Sequence, residues 1–214
     1  MTSKRTPEEW AELRFEAQNA HKFYPKLQPN SSAMVPHLLR SGLFSLGKGK
    51  GQINRTFPVH SHESIDECVH GQKIDYCGPT LTQTHKNVML SLIALASQKV
   101  GDITVGFHAV RFLDRMNKDT STTGVRELQR ILAELRSATV TFRHYAKDKG
   151  RIFGFITGAE WHRRDFHVAM DPRGAAALEF IGATYIPLDL RLRRNENIET
   201  GLADLFYATQ IELF

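Results

Sequence analysis

The stretch Thr120-Ser121-Thr122-Thr123-Gly124, continued by Val125-Arg126-Glu127-Leu128-Gln129-Arg130-Ile131-Leu132-Ala133-Glu134-Leu135-Arg136, decides how the rest of the chain is read. A run of hydroxyl side chains offers acceptors to the free N–H groups of a first helical turn. Val125, Leu128, Ile131, Leu132 and Leu135 then recur at helical spacing, so one face of the helix is apolar and suited to a core. The opposite face carries Arg126, Gln129 and Arg130, with Arg136 near the end. Long guanidinium and amide side chains on an exposed helical face are those that reach phosphates and base edges in a major groove. The helix from Thr122 to Arg136 is therefore predicted to be a recognition helix, with Thr122 and Thr123 among its DNA-facing residues.

The charge of the chain is concentrated around this helix. Over 214 residues the formal net charge is +5, and between Arg111 and Arg164 twelve Lys or Arg stand against six Asp or Glu. That segment carries more than the whole surplus, which points to an acidic partner such as double-stranded DNA. An apolar content of 41% is enough for a core formed by burial alone. Two cysteines, Cys68 and Cys77, without a signal-like apolar N-terminus predict a reducing, cytoplasmic setting and no disulfide scaffold. The longest apolar run, Val88 to Ala96 broken by Ser91, is far short of the roughly 20 residues that cross a bilayer, so no membrane span is expected.

Outward from the helix, the element order can be read from periodicity. Residues 1–71 are expected to be an N-terminal arm or linker, partly disordered, with a short helix at Pro7 to Ala17 and a flexible basic patch at Gly47 to Gly51. Lys73 to Cys77 reads as a short strand closed by Gly78-Pro79. Val88, Met89, Leu90, Leu92, Ile93, Leu95 and Ala96 make the next segment apolar on nearly every side, a helix buried among other elements and capped by Thr82 or Thr84. Asp102 to Phe107 reads as a brief strand and His108 to Asn117 as a short helix, followed by a polar turn and the basic helix.

This order is that of a winged helix, an α+β fold in which a β-hairpin follows the helix-turn-helix. The hairpin is expected from Thr139 to Ile156, because Thr139 to Tyr145 alternates at period two and Arg151 to Ile156 returns after a polar turn. Arg143, His144, Lys147, Lys149 and Arg151 cluster around that turn, where a wing meets the phosphate backbone. The winged-helix domain is thus assigned to residues 72–183. Phe166 to Met170 is expected as one more strand and Gly174 to Phe180 as an Ala-rich helix. Residues 184–214 form a strand–helix segment, with Ile198, Leu202, Leu205, Phe206 and Ile211 in a helical pattern suited to dimerisation or to the start of a second winged helix.

Competing chemistries are weaker. His60, His62, Cys68, His70 and Cys77 lack the close-spaced ligand pairs of a compact zinc site. Gly47 to Gly51 lacks the Gly-Lys-Ser/Thr ending of a phosphate-cradling loop, and His60-Ser61-His62 does not have the His-apolar-His pattern that strand nicking needs. Glu160-Trp161-His162-Arg163-Arg164-Asp165 is read as a solvated turn that adds phosphate contacts rather than as a catalytic cluster. No catalytic residue, metal or cofactor is expected, and the protein is read as a non-enzymatic DNA binder.

Three further stretches resemble the TrfA-type plasmid replication initiators, a branch of the iteron-binding winged-helix initiators. They are Pro29-Asn30 leading to Arg40-Ser41-Gly42-Leu43-Phe44; Tyr76-Cys77-Gly78-Pro79-Thr80-Leu81-Thr82-Gln83 running into Val88-Met89-Leu90; and Tyr185-Ile186-Pro187-Leu188-Asp189 leading to Gly201-Leu202-Ala203-Asp204-Leu205-Phe206-Tyr207. The resemblance spans about residues 29 to 210. It implies binding to repeated origin sites, opening of an adjacent AT-rich segment, recruitment of the host initiator and replicative helicase, and copy control through a homodimer. It also implies two winged helices, the last motif beginning the second. The same contacts would serve a winged-helix transcriptional regulator or autorepressor without a replication role, and a dimerisation module is the third reading.

Overall fold

The computed structural model describes residues 31–34, 38, 42–45, 51–60, 68–97, 104–144, 149–174 and 184–187. At its centre lies helix α1 (Gln83–Ala96), in which every residue but Thr84 and Leu95 is buried, as an all-round apolar pattern requires. Thr82 is its N-cap, and His85 reaches back so that its Nδ1 accepts the Thr82 N–H at 3.1 Å. After α1 come β4 (Thr104–His108), α2 (Ala109–Arg115) and α3 (Thr122–Ser137).

Around these helices the described residues form three antiparallel sheets. The smallest pairs β1 (Ser31–Met34) with β9 (Thr184–Pro187). It is tied to α1 by the Ser32 hydroxyl, which donates to the Leu90 carbonyl at 2.7 Å. The second sheet runs in the order β2 (Gln52–His60), β3 (Cys68–Pro79), β5 (Thr139–His144), β6 (Lys149–Gly154). The third runs β4, β8 (Asp165–Met170), β7 (Ile156–His162). Phe57, Ile74 and Phe142 form a buried row across the second sheet, while Val105 and Val168 pair on the inner face of the third.

Three expectations change. Residues 52–60 and 68–71, expected in the linker, belong to strands of the second sheet, so the boundary drawn at residue 71 falls inside β3. Leu43 and Phe44 are also buried, and the Phe44 carbonyl accepts from the Gln83 amide at 2.9 Å. Alternation is the signal that was diluted there: Arg55 interrupts the apolar track of Ile53, Phe57 and Val59, and Pro58 disfavours a strand interior.

The second change concerns the hairpin of Thr139 to Gly154. It forms in the register Val140↔Phe153, but its first strand is hydrogen-bonded to β3, so it is the margin of a four-stranded sheet rather than a hairpin standing free beside α3. Third, a separate hairpin, β7–β8, joins β4. The helix at Pro7 to Ala17, the Ala-rich segment beyond Gly174 and the helical pattern after Pro187 lie outside the described residues.

Candidate nucleic-acid interface

The link between α2 and α3 is fixed by backbone chemistry. Asn117 adopts φ 53°, the left-handed conformation that Asn tolerates, and its N–H donates to Asp114 while that of Lys118 donates to Leu113. These bonds close the last turn of α2 and aim the chain at the next helix. At the start of α3 the Ser121 hydroxyl accepts the Thr123 N–H at 3.1 Å. The Asp119 carboxylate in turn accepts from the Ser121 N–H at 2.9 Å and from its hydroxyl at 2.6 Å. Those bonds, the Ser121 hydroxyl's first, hold the Asp119 carboxyl below its ordinary range. Gly124 permits the closure, since its Cα side faces the Asp119 carbonyl.

Val125, Leu128, Ile131, Leu132 and Leu135 are all buried, each contributing about 1.5–3 kcal/mol by leaving water. This holds the opposite face of α3 outward. Thr122, Thr123, Arg126, Arg130 and Arg136 are exposed there and Gln129 is half-buried. The cations are not equivalent. Arg126 makes no ion pair among the described residues. Arg130 is clamped between two carboxylates of its own helix, its Nε 2.9 Å from Glu127 and its terminal nitrogens on Glu127 and Glu134. The hydrogen bond to Arg130 keeps the Glu127 carboxyl below its ordinary value, and the same bond raises the guanidinium further.

Glu134 extends this network inward, because its other oxygen meets His85 Nε2 at 2.6 Å. Since His85 Nδ1 already accepts from Thr82, Nε2 is the donor to Glu134. A continuous hydrogen-bonded path therefore links the cap of α1 to Arg130. Arg136 is turned sideways, its Nε donating to the Thr157 carbonyl at 3.3 Å and fastening the end of α3 to β7.

Of the residues expected to grip phosphate from the β5–β6 hairpin, Arg143 and Arg151 stand on opposite faces of the sheet. Arg143 pairs with Asp75 at 2.8 Å, and Thr56 donates to the other oxygen of that carboxylate at 2.7 Å. Arg151 stands opposite Phe142, on the sheet face away from Arg143. His144 and Lys149 are register partners. Lys147 lies outside the described residues.

Exposed cations gather instead at the tip of β7–β8. Its register His162↔Asp165 leaves a two-residue turn, Arg163-Arg164, with Arg163 at φ 55°. The Arg164 carbonyl accepts the Ala109 N–H at 2.8 Å, which binds the tip to the start of α2, where Arg111 is exposed. Sequence reasoning gave the strand Phe166 to Met170 and a turn over Glu160 to Asp165 but not β7, which carries Glu160 and His162 among few apolar residues. The available signal was the aromatic pair Trp161 and Phe166 flanking the turn, which are cross-strand partners.

Among the described residues no group of three His, Cys, Asp or Glu side chains is placed to hold a metal ion, and no helix is long and apolar enough to cross a membrane. No family model and no curated protein matches the chain. The crystal structure of domains 2 and 3 of RctB, a Vibrio replication initiator, is similar to it, with a TM-score of 0.58 over 82% of this chain and 71% of that one, at 9% sequence identity. At such identity the likeness establishes a shared mixed α/β fold with antiparallel sheets, and function must be argued from the site.

Proposed function

We propose that this protein is a winged-helix replication initiator that binds repeated double-stranded DNA sequences at an origin. The observation that carries the reading is the outward face of α3, a helix anchored by five buried side chains and presenting Arg126, exposed and without an ion pair among the described residues, beside Gln129, Thr122 and Thr123. The order α1, β4, α2, α3, followed after the β5–β6 pair by β7 and β8, with the sheet order β4-β8-β7, supports a winged helix, the β7–β8 hairpin taking the wing's place. The likeness to RctB domains supports the initiator reading over a regulator. In this arrangement α3 enters the major groove and Arg126 reads bases with Gln129. Arg111, Arg163 and Arg164 meet phosphates. Arg130 supports the helix through its carboxylates and acts on DNA after exchanging them for phosphate.

The resemblance to TrfA-type initiators adds iteron repeats on a plasmid, recruitment of the host initiator and helicase, and a homodimer. Selection of bound sequences from random duplex DNA, followed by gel shifts on the selected site, tests the contacts. Arg126→Ala should lose about 1–3 kcal/mol of specific affinity, roughly 5- to 150-fold. Arg130→Ala should lose less, since its guanidinium is already engaged. If Arg126→Ala binds the selected site as wild type does, α3 is not the reading helix. Support of a plasmid origin in cells separates an initiator from a regulator that uses the same contacts.

A further inference from the structure

We propose that Trp161 is a stacking platform for an unpaired nucleobase, making the β7–β8 tip a single-stranded DNA site distinct from α3. Four rings are arrayed in sequence across this part of the fold: Phe112 and Phe107 with centroids 4.3 Å apart, Phe107 and Phe166 at 5.6 Å, Phe166 and Trp161 at 5.9 Å. Phe112 and Phe166 are buried and Phe107 is partly so. Trp161, the terminal ring, is 50% exposed. The stack therefore ends in an open indole face, to which a flat heterocycle adds a further layer.

The surroundings select what that layer is. Arg163 and Arg164 are exposed in the turn beside Trp161, and Arg111 is exposed on the helix whose first N–H the turn holds. The acids of the hairpin are directed away: Glu160 and Asp165 flank Trp161 and Phe166 in sequence, and alternation puts them on the other sheet face, opposite His167 and His162. An aromatic face bordered by cations fits a base with its flanking phosphates. In duplex DNA the base faces are covered by their neighbours, so only an unpaired or extruded base can use this platform. The proposal rests on the nucleic-acid reading given above, shares its cations Arg111, Arg163 and Arg164, and adds to them a ring that reading does not use, for the form of DNA that an opened origin presents.

Tryptophan fluorescence of the full chain, with Trp10→Phe leaving Trp161 as the sole indole, tests it against oligothymidylate and a duplex of equal length. The expected result is quenching of Trp161 by oligothymidylate and little change with duplex. Trp161→Ala should weaken oligothymidylate binding roughly 5- to 150-fold, Trp161→Phe should restore most of it, and duplex affinity should stay within about twofold of wild type. Arg126→Ala should show the reverse pattern, which separates failure of the α3 reading from failure of this one. Should Trp161→Ala not fold, quenching in the Trp10→Phe protein decides. Unquenched Trp161 fluorescence at saturating oligothymidylate, unchanged affinity in a folded Trp161→Ala, or no binding of oligothymidylate at all would overturn the proposal.

Discussion

A β-carbon on Gly124 would stand 1.8 Å from the carbonyl oxygen of Asp119 and 2.6 Å from its carbon. Both are backbone atoms of the turn that begins α3, so they cannot swing aside as a flexible side chain would. Gly124→Ala should therefore destabilise the protein by about 1–3 kcal/mol, seen as a lower thermal midpoint; an unchanged midpoint would mean that the turn is held elsewhere. The carboxylates at this end of the helix also set an acid response. Asp119 and Glu127 have folded-state values below their ordinary 3.8 and 4.5, so the unfolded chain takes up protons first. Their contribution is present above pH 4.5 and is lost as pH falls through and below these values. Melting temperature should decline over that range, and Ser121→Ala, which removes the hydroxyl that holds the Asp119 carboxyl down, should decline less steeply from a lower start.

Among the elements, those with strong periodicity were readable and those defined by pairing were not. The buried face of α3, the all-round burial of α1 and the two strands of the Thr139 to Gly154 hairpin follow from patterns within single segments. That β5 joins β3 while β4 joins β8 depends on contacts between segments far apart in sequence, which periodicity does not encode. Arg126 and Arg130, by contrast, differ already in helical spacing, since Glu127 and Glu134 lie three residues before and four after Arg130 while no acid stands three or four residues from Arg126. The Tyr76-Cys77-Gly78-Pro79 stretch shows a motif acquiring a physical cause. Tyr76 is fully buried and its hydroxyl donates to the Pro79 carbonyl, over Gly78, where a β-carbon would meet that hydroxyl at 2.8 Å and Ala138 at 2.9 Å. Burial pushes the phenol above its ordinary 10.0, so its neutral form stabilises the fold below that pH and this contribution is lost as pH rises past it. Tyr76→Phe should cost about 0.5–1.5 kcal/mol in urea titration at neutral pH. The loss of stability on raising pH beyond 10.0 should also be shallower in the variant; an identical alkaline limb would detach it from Tyr76.

At the scale of the whole molecule the position of charge matters more than its total. A surplus of +5 is modest for a DNA-binding protein of 214 residues, and part of the basic segment is neutralised internally by Arg130 with Glu127 and Glu134 and by Arg143 with Asp75. Exposed Arg126, Arg111, Arg163 and Arg164 are left to act together across α3, the start of α2 and the β7–β8 tip. Counterion release then makes salt the sharpest global test. With about six phosphates neutralised by these groups and others, duplex affinity should fall about a thousandfold between 50 and 200 mM salt. Arg163→Ala should reduce the slope of log affinity against log salt by about one on any sequence, because in the proposed arrangement it meets phosphate and reads no base. Arg126→Ala should lower affinity most on the selected site. Were the two variants to change specific and non-specific binding equally, the division between a reading helix and a gripping hairpin would be lost, and the whole basic face would have to be treated as one undifferentiated electrostatic surface.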